Sequence, residues 1–536
     1  MDYTTHQDPL YRLIMAIKAR TEFDHPVGEM EIVETHISYV LLTGSYAYKF
    51  KKPLSLGFLD FNTLEKRKFY CEEELRLNQR LAPELYLGVV TFTGNENTPE
   101  LNGKGEIIEY AVKMIQFSRE EELDKLLEKG QLKPAHLDRL VKQLYQFHSS
   151  IAVASLDLEF GEPEVIYRDV MDNFETIEKT ITITKQEGRT LQNLIDWTKQ
   201  EFNLLRDVFS ARKKNGYIRE CHGDLHLGNI ALHNGEPLIF DCIEFSESLR
   251  WIDVMNELAF LIMDLDEKNQ RIFSQRVLNA YLEQSGDYSG LSVFRFYLVY
   301  RAMVRCKVTC IRLGQGDLTD EERERAIENF RCYLELAETY THSVKTALII
   351  TYGLSGSGKT TCTQALLEQL PAIRIRSDIE RKRLHGMNTD LKTNYSINEG
   401  IYSASSSRDT YKKLAELARI ILSSGYSVIV DATFLIKVQR KAFFELARAL
   451  NIPFCILAFK AGEAELRRRI AQRQALAKDA SEADGAVLDY QLSHQEPLDE
   501  TETHCRMVID AEREPPDLNA ISMCIKQLAG EGENNR

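Results

Sequence analysis

The stretch from Lys345 to Leu370 leaves the chain the least freedom. An apolar run, Lys345-Thr346-Ala347-Leu348-Ile349-Ile350-Thr351-Tyr352, meets Gly353-Leu354-Ser355-Gly356-Ser357-Gly358-Lys359-Thr360, and an apolar-periodic segment follows to Leu370. Strand, glycine-rich turn and helix in this order carry the pattern G-x-x-x-x-G-K-[ST] in the context that gives it meaning. The glycines let backbone N–H groups turn inward, and the helix N-terminus adds positive potential for phosphate. Lys359 is predicted to reach the β/γ-phosphates and Thr360 to bind Mg²⁺, with Gly353, Ser355, Gly356, Ser357, Gly358 and Thr361 completing the nucleotide-binding set. Apolar strands alternate with helical segments through residues 341–536, which predicts an α/β domain with a parallel sheet covered on both faces.

A second constraint lies upstream. In Cys221-His222-Gly223-Asp224-Leu225-His226-Leu227-Gly228-Asn229-Ile230 an Asp stands five residues before an Asn, and a later apolar run ends in Ile239-Phe240-Asp241. Phosphoryl transfer needs this layout: one carboxylate takes the acceptor proton, while an amide and a second carboxylate hold Mg²⁺ against the phosphates. Asp224 is therefore the candidate catalytic base, and Asn229 and Asp241 the candidate metal ligands. A simple strand–turn–strand hairpin with turn-forming Asp and Asn is the plainer alternative.

The segment resembles the catalytic and metal-binding loops of the aminoglycoside phosphotransferase and choline kinase-like family, with Gly223 and Cys242 departing from the kinase set H-R-D-x-x-x-x-N and D-F-G. That resemblance implies an α+β, bilobal, protein-kinase-like domain over residues 1–340. In such a small lobe the strand Tyr46–Phe50 puts Tyr46, Tyr48 and Phe50 on one face and Ala47 and Lys49 on the other. Lys49 is similar to the strand lysine that holds the α/β-phosphates. Lys51 and Lys52, past the expected strand end, read as solvated charges. The resemblance also implies a glutamate from the helix Leu64–Leu81 pairing with Lys49. Glu72, Glu73 and Glu74 are the candidates, with Glu73 favoured because it shares a face with Leu77 and Leu81. Asp253 matches a residue that stabilises the loop, and His148 reads as a packed core histidine. Arg301, Arg305 and Arg312 read as a solvated face or an internal ion-pair set. The chain lacks a G-x-G-x-x-G loop, and Leu227 stands where many relatives have Pro.

The C-terminal part, residues 341–536, resembles P-loop small-molecule kinases, a group that includes gluconate kinase, zeta toxins and polynucleotide kinase. In these, an acceptor-activating Asp and a substrate-holding Arg follow the second strand, matching Asp378 and Arg381. Asp431 ends the strand Ser427–Val430 as a candidate near metal or substrate, or as a turn cap. A lid helix presents arginines to the ATP phosphates, matching Arg469 and Arg473, and Ala475–Ala486 suits a mobile lid.

Composition sets limits. The chain has 536 residues, too long for a single core. Residues 341–536 carry a net charge of +1 and residues 1–340 a net of −15. The acidic part would attract cationic small molecules and repel polyanions, although solubility alone also explains it. Neither half offers the basic, aromatic-interleaved stripe of a nucleic-acid tracker. No stretch of eighteen apolar residues, no secretory signal and no C-x-x-C occur, so a cytoplasmic protein with reduced thiols and no membrane span is expected.

The reading is a bifunctional phosphotransferase with one site per domain. ATP or GTP is the donor, Mg²⁺ the cofactor and small-molecule alcohols the acceptors; no nucleic-acid partner is expected. Two alternatives stand beside it. The N-terminal domain could bind a ligand and gate a P-loop kinase, or the C-terminal domain could phosphorylate nucleic-acid ends or nucleotide sugars. Neither acceptor, nor the oligomeric state, is readable from the residues.

Overall fold

A computed structural model describes residues 8–55, 59–181, 183–314, 318–388, 400–476, 484–512 and 517–529. The chain forms two compact units. One comprises residues 1–268 and 296–340, the other residues 269–295 and 341–536.

The first unit begins with an antiparallel sheet of β1 (Glu31–Glu34), β2 (Ser38–Leu42), β3 (Tyr46–Lys51), β4 (Tyr86–Asn95), β5 (Thr98–Leu101) and β6 (Ile107–Ile115), ordered β1-β2-β3-β6-β4-β5. A turn at Gly44, whose φ of +97° suits glycine, joins β2 to β3. Strand alternation works as expected on β3. Tyr48 and Phe50 are fully buried in a core with Leu13, Ile14 and Ile17 of the helix Pro9–Arg20. Ala47, Lys49 and Lys51 lie on the opposite pleat, and the ammonium groups of Lys49 and Lys51 reach the helix Leu64–Asn78. Lys51 is a correction to the sequence reading. It lies within β3, not beyond it, and is fully buried. The strand runs one residue further than the aromatic pattern marks.

The larger, helical part holds Pro134–Ser150, whose Leu137, Leu140, Val141 and Leu144 are buried as their spacing predicts. Pro163–Thr180 and Lys185–Lys214 follow, the latter opened by a capping box between Thr184 and Glu187. Three short pairings position the loops. β7 (Ile218–Glu220) pairs with β10 (Trp251–Asp253), and β8 (Ile230–His233) with β9 (Glu236–Ile239). The β8–β9 turn is Asn234-Gly235 with φ of +53° and +81°, the two positive angles that a tight hairpin of right-handed twist requires. Asp253 accepts the Met255 N–H at the start of the buried helix Val254–Glu267 and receives Arg212 at 2.5 and 2.8 Å. Its role is structural, as expected, but its carboxylate serves Arg212 and the helix start, and the loop N–H groups of His222, Gly223 and Leu227 go to Glu257 and Asp264 instead.

The second unit is built on β11 (Leu348–Tyr352), β12 (Ala372–Arg376), β13 (Ser427–Asp431), β14 (Phe454–Lys460) and β15 (Arg506–Asp510). All are parallel, in the order β12-β13-β11-β14-β15. The strands read as continuous apolar runs because both faces are covered. The helix Arg271–Ser285, upstream in sequence, lies along the edge strand β12. Its Asn279 side chain donates to the Ala372 carbonyl at 3.0 Å and accepts the Arg374 N–H at 2.8 Å, so it substitutes for a neighbouring strand. Among the described residues, no helix is long and apolar enough to cross a membrane.

Candidate functional site

In the first unit, the β8–β9 hairpin is the device that gathers the loop residues. Ile230 pairs with Ile239, and Phe240 N–H donates to the Asn229 carbonyl at 3.0 Å, so Asn229 and Asp241 leave the same end of the hairpin. The hairpin of the plainer alternative is present as β8–β9, with its turn at Asn234-Gly235 and with Asn229 and Asp241 flanking it. The Asn229 amide donates to the Asp224 carbonyl at 2.9 Å and to its carboxylate at 3.1 Å. With the NH₂ so committed, the amide oxygen is the atom left for a cation. His222 ties the two loops together, its Nε2 lying 2.8 Å from the Phe240 carbonyl. Asp241 adopts φ +65°, rare for a residue with a Cβ, and its N–H donates to the Tyr86 hydroxyl at 3.1 Å.

Asp224 keeps 36 % of its side chain accessible, enough for a ligand to reach it. Burial opposes its ionisation, but His226, Arg305 and His222 outweigh that and hold the carboxyl well below the usual range. Asp224 is therefore ionised at neutral pH.

Lys49 contacts Asp241 at 2.5 Å and Glu74 at 2.8 Å. The favoured partner, Glu73, is corrected here: it turns to Arg76 at 2.6 Å and Arg250 at 3.0 Å. Glu74 is fully buried beneath β3 and takes both Lys49 and, at 2.5 Å, Lys51. Lys51 also reaches Glu244. Burial alone would raise the Glu74 carboxyl; the two ammonium groups overcome it and bring it down to about 2. A one-residue shift on a helix is a rotation of ~100°, which the weak amphipathicity of Leu64–Asn78 could not resolve from sequence. Glu74→Gln should cost ~3–5 kcal/mol because it strands two buried cations. Glu73→Gln, on the semi-exposed side, should cost ~1 kcal/mol or less. Equilibrium denaturation of the two variants checks the ordering.

Three further residues shape this loop without having been singled out for that role. Glu257 is fully buried and accepts the His222 N–H at 3.0 Å, the Gly223 N–H at 2.7 Å and His148 Nε2 at 3.0 Å. Asp264 accepts the Leu227 N–H at 2.9 Å. Arg301 donates to the Gly223 carbonyl at 3.1 Å and to Asn256 at 2.7 Å, making it internal rather than part of a solvated stripe. Burial works against the Glu257 charge, yet His148, His222 and the backbone donors lower its carboxyl to about 2. Its folded value lies below the usual 4.5, so its stabilisation is complete above 4.5 and fades as pH falls toward 2. Glu257→Gln should lose ~3 kcal/mol at pH 7 and progressively less below pH 4. Urea midpoints for both proteins across that range test it.

In the second unit, the loop after β11 behaves as its glycines demand. Gly356 and Gly358 both have φ of +82°. A Cβ on Gly356 would also press on the Leu466 carbonyl and Ile470 at 3.1 Å. The helix Lys359–Leu366 starts directly at the lysine. Lys359 Nζ folds back onto the Gly353 and Leu354 carbonyls at 3.0 and 2.8 Å. Burial dominates its titration and pulls it down to about 8, despite Asp431 and Asp378 nearby. A buried ammonium held by two carbonyls and, at 3.5 Å, by Ser357 Oγ is suited to pairing with a polyanion.

One cleft of about 1480 Å³ collects the predicted residues of this half. Ser355, Gly356, Ser357, Gly358, Lys359, Thr360 and Thr361 line it, as do Asp378, Arg381, Asp431, Arg469 and Arg473. Gly353 stands behind, its N–H donating to the Thr433 carbonyl at 3.1 Å. Asp431 is buried at the end of β13 and accepts from Thr363 at 3.2 Å. Arg469 lies beside Gly358 and is braced by Glu465 at 2.5 Å. Of the expected lid, residues 477–483 lie outside the described residues. Gln491, on the helix Gly485–His494, was not anticipated. Its amide brackets Ser355, accepting the N–H at 2.8 Å and donating to Oγ at 3.0 Å. No pattern in the sequence marks a glutamine for that contact.

Comparison with known proteins finds two family models along the chain. Residues 70–294 match the model of the phosphotransferase enzyme family, and residues 348–498 match that of an AAA domain. Proteins Rv2004c of Mycobacterium tuberculosis (strain H37Rv) and Mb2027c of Mycobacterium bovis are each 31 % identical over 416 residues, 76 % of this chain and 80 % of theirs. Among solved structures, a putative kinase from Chloroflexus aurantiacus is 25 % identical, covering 34 % of this chain and 98 % of its own, with a TM-score of 0.29. A choline/ethanolamine kinase family protein from Mesorhizobium loti is 12 % identical, covering 59 % and 94 %, with a TM-score of 0.37. The chain belongs to the family of these mycobacterial proteins, with a domain of the phosphotransferase enzyme family followed by a P-loop domain that matches the AAA model.

Proposed function

We propose that the protein is a bifunctional phosphotransferase in which each domain moves the γ-phosphoryl group of ATP to a hydroxyl of a small molecule. The observation that supports the reading is that each unit holds a candidate phosphate cation and a candidate acceptor-side carboxylate in one chain of contacts or one cleft: Lys49 meets Asp241 beside the Asn229–Asp224 pair in one, and Lys359 and Asp378 line the same cleft in the other. In each transfer the acceptor oxygen bonds to the γ-phosphorus, the bond from that phosphorus to the β,γ-bridging oxygen breaks, and ADP departs. The hydroxyl proton passes to the waiting carboxylate.

In the first domain, Lys49, anchored by Glu74, positions the α/β-phosphates. Asn229 and Asp241 would hold Mg²⁺, and their donor set, one amide oxygen and one carboxylate, suits a hard cation. In the second, the loop N–H groups, Lys359, Arg469 and Arg473 surround the phosphates, while Thr360 would hold the ion with Asp431 close by. Bound Mg²⁺ supplies charge neutralisation for the developing negative charge on the transferred group. Arg381 orients the acceptor beside Asp378. The experiment is ATP-dependent phosphorylation of a metabolite pool by wild type, an Asp224 variant and a Lys359 variant. Each variant should lose a different set of products. If neither loses any, the reading fails.

A further inference from the structure

We propose that Lys51 is a positioning residue of the N-terminal site, fastening Glu74 and Glu244 so that Lys49 faces the phosphates and Asp241 faces the cation. This rests on the phosphotransferase reading of that domain.

The charged groups around Lys49 form a closed ring. Asp241 contacts Lys49 at 2.5 Å, and Lys49 contacts Glu74 Oε1 at 2.8 Å. The other oxygen of that carboxylate, Oε2, takes Lys51 at 2.5 Å, and Lys51 also reaches Glu244. Glu244 stands three residues after Asp241, so the backbone itself closes the ring. Charge alternates at every contact, and exposure falls along the way. The Asp241 side chain keeps 46 % of its surface and Lys49 10 %, while Glu74 and Lys51 keep none. The ring ties together β3, the helix Leu64–Asn78 and the segment that follows β9. The same helix holds that segment at a second point one turn on, where Asn78 Oδ1 accepts the Cys242 N–H at 2.9 Å. Arg250 donates to the Glu244 carbonyl at 3.3 Å.

Lys51 cannot touch a nucleotide, since it is sealed between Phe61, Glu74 and Glu244. What it can do is divide the Glu74 charge. Without it, both oxygens of Glu74 would turn on Lys49, the ammonium that has to serve phosphate. Glu244 would lose its cation in an interior where burial already pushes its carboxyl up against the pull of Lys51. An unpaired buried carboxylate moves toward water, and Asp241, three residues earlier and held at φ +65°, would shift with it. Stability alone does not call for this arrangement. A buried ion triad is often no more stable than well-packed apolar side chains of the same volume. Geometry does call for it, because a misplacement of ~1 Å at a positioning group costs on the order of 10²-fold in rate.

The test uses the full chain carrying Lys359→Met, which silences the other site. Three proteins are compared: this parent, the parent with Lys51→Met, and the parent with Lys51→Met and Glu244→Gln. Each is measured for its urea midpoint, for binding of a fluorescent ATP analogue at fixed Mg²⁺, and for labelled transfer to a metabolite extract. Lys51→Met should lower the midpoint, because it strands a buried carboxylate. The double variant removes that carboxylate and should regain most of the midpoint. Both variants should bind the analogue more weakly by a factor of about ten or more, with KM for ATP raised to match. A Lys51 that only props the fold would let affinity return with stability. A double variant with parental affinity and KM therefore overturns the proposal. Where Lys51→Met alone fails to fold, the double variant carries the comparison. A parent that binds the analogue but transfers label to no acceptor overturns instead the phosphotransferase reading of the domain.

Discussion

Asp224→Asn is expected to lower transfer at the N-terminal site by about 10³-fold, within the range for removing a proton acceptor from phosphoryl transfer. The substitution is nearly isosteric, and Asn229 still finds the main-chain carbonyl of residue 224 at its present 2.9 Å. The loop should therefore hold its shape, since Glu257 and Arg301 brace Gly223 independently of the carboxylate. Nucleotide binding should persist, because Lys49 and Asp241 are untouched. The measurement is labelled phosphate transfer from ATP to a metabolite extract, made in a Lys359→Met background to silence the other site. A titration with a fluorescent ATP analogue should still show one bound equivalent. Transfer within tenfold of the parent would remove Asp224 from the chemistry.

Lys359→Met should have opposite effects on stability and binding. Burial brings the ammonium down to about 8 from an ordinary 10.5. A lysine with a depressed folded value weighs against folding wherever it is charged in the native state. The penalty is complete below 8 and is relieved as pH rises from 8 to 10.5. Methionine has a similar length and no charge, so the nucleotide-free protein should gain ~1–3 kcal/mol at pH 7 and nothing near pH 11. The Gly353 and Leu354 carbonyls that lose their donor set the lower end of that range. Affinity for ATP at this site should fall about 10- to 100-fold with the loss of the charge-assisted phosphate contacts. Melting temperature at two pH values, with and without Mg–ATP, reads both effects. A variant that melts lower without nucleotide, or binds ATP as before, would contradict the assignment.

Local chemistry was legible along the chain wherever a function depends on consecutive residues. The loop Gly353–Thr360, the spacing from Asp224 to Asn229, and the apolar strands β11 and β13 all announce themselves, because glycine torsions, strand periodicity and helix starts are short-range properties. The parallel C-terminal sheet follows from the same signals, whereas the two-part kinase-like domain is what the family resemblance of the Asp224 loop implies. Residues brought together across long separations were not readable in this way. The choice of Glu74 over Glu73 depends on the rotation of one helix over β3. The burial of Lys51 depends on Glu244, which lies 193 residues away. Glu257, Arg301 and Gln491 support the loops from elements with no motif, since their roles come from where helices pack. The helix Arg271–Ser285 looks in sequence like one more helix of the N-terminal part, yet it completes the edge of β12. Sequence alone determined the chemical groups and their local geometry. Tertiary structure decided which buried charge meets which, because pairing inside a low-dielectric interior is set by element orientation to within one residue, and periodic patterns do not encode that angle.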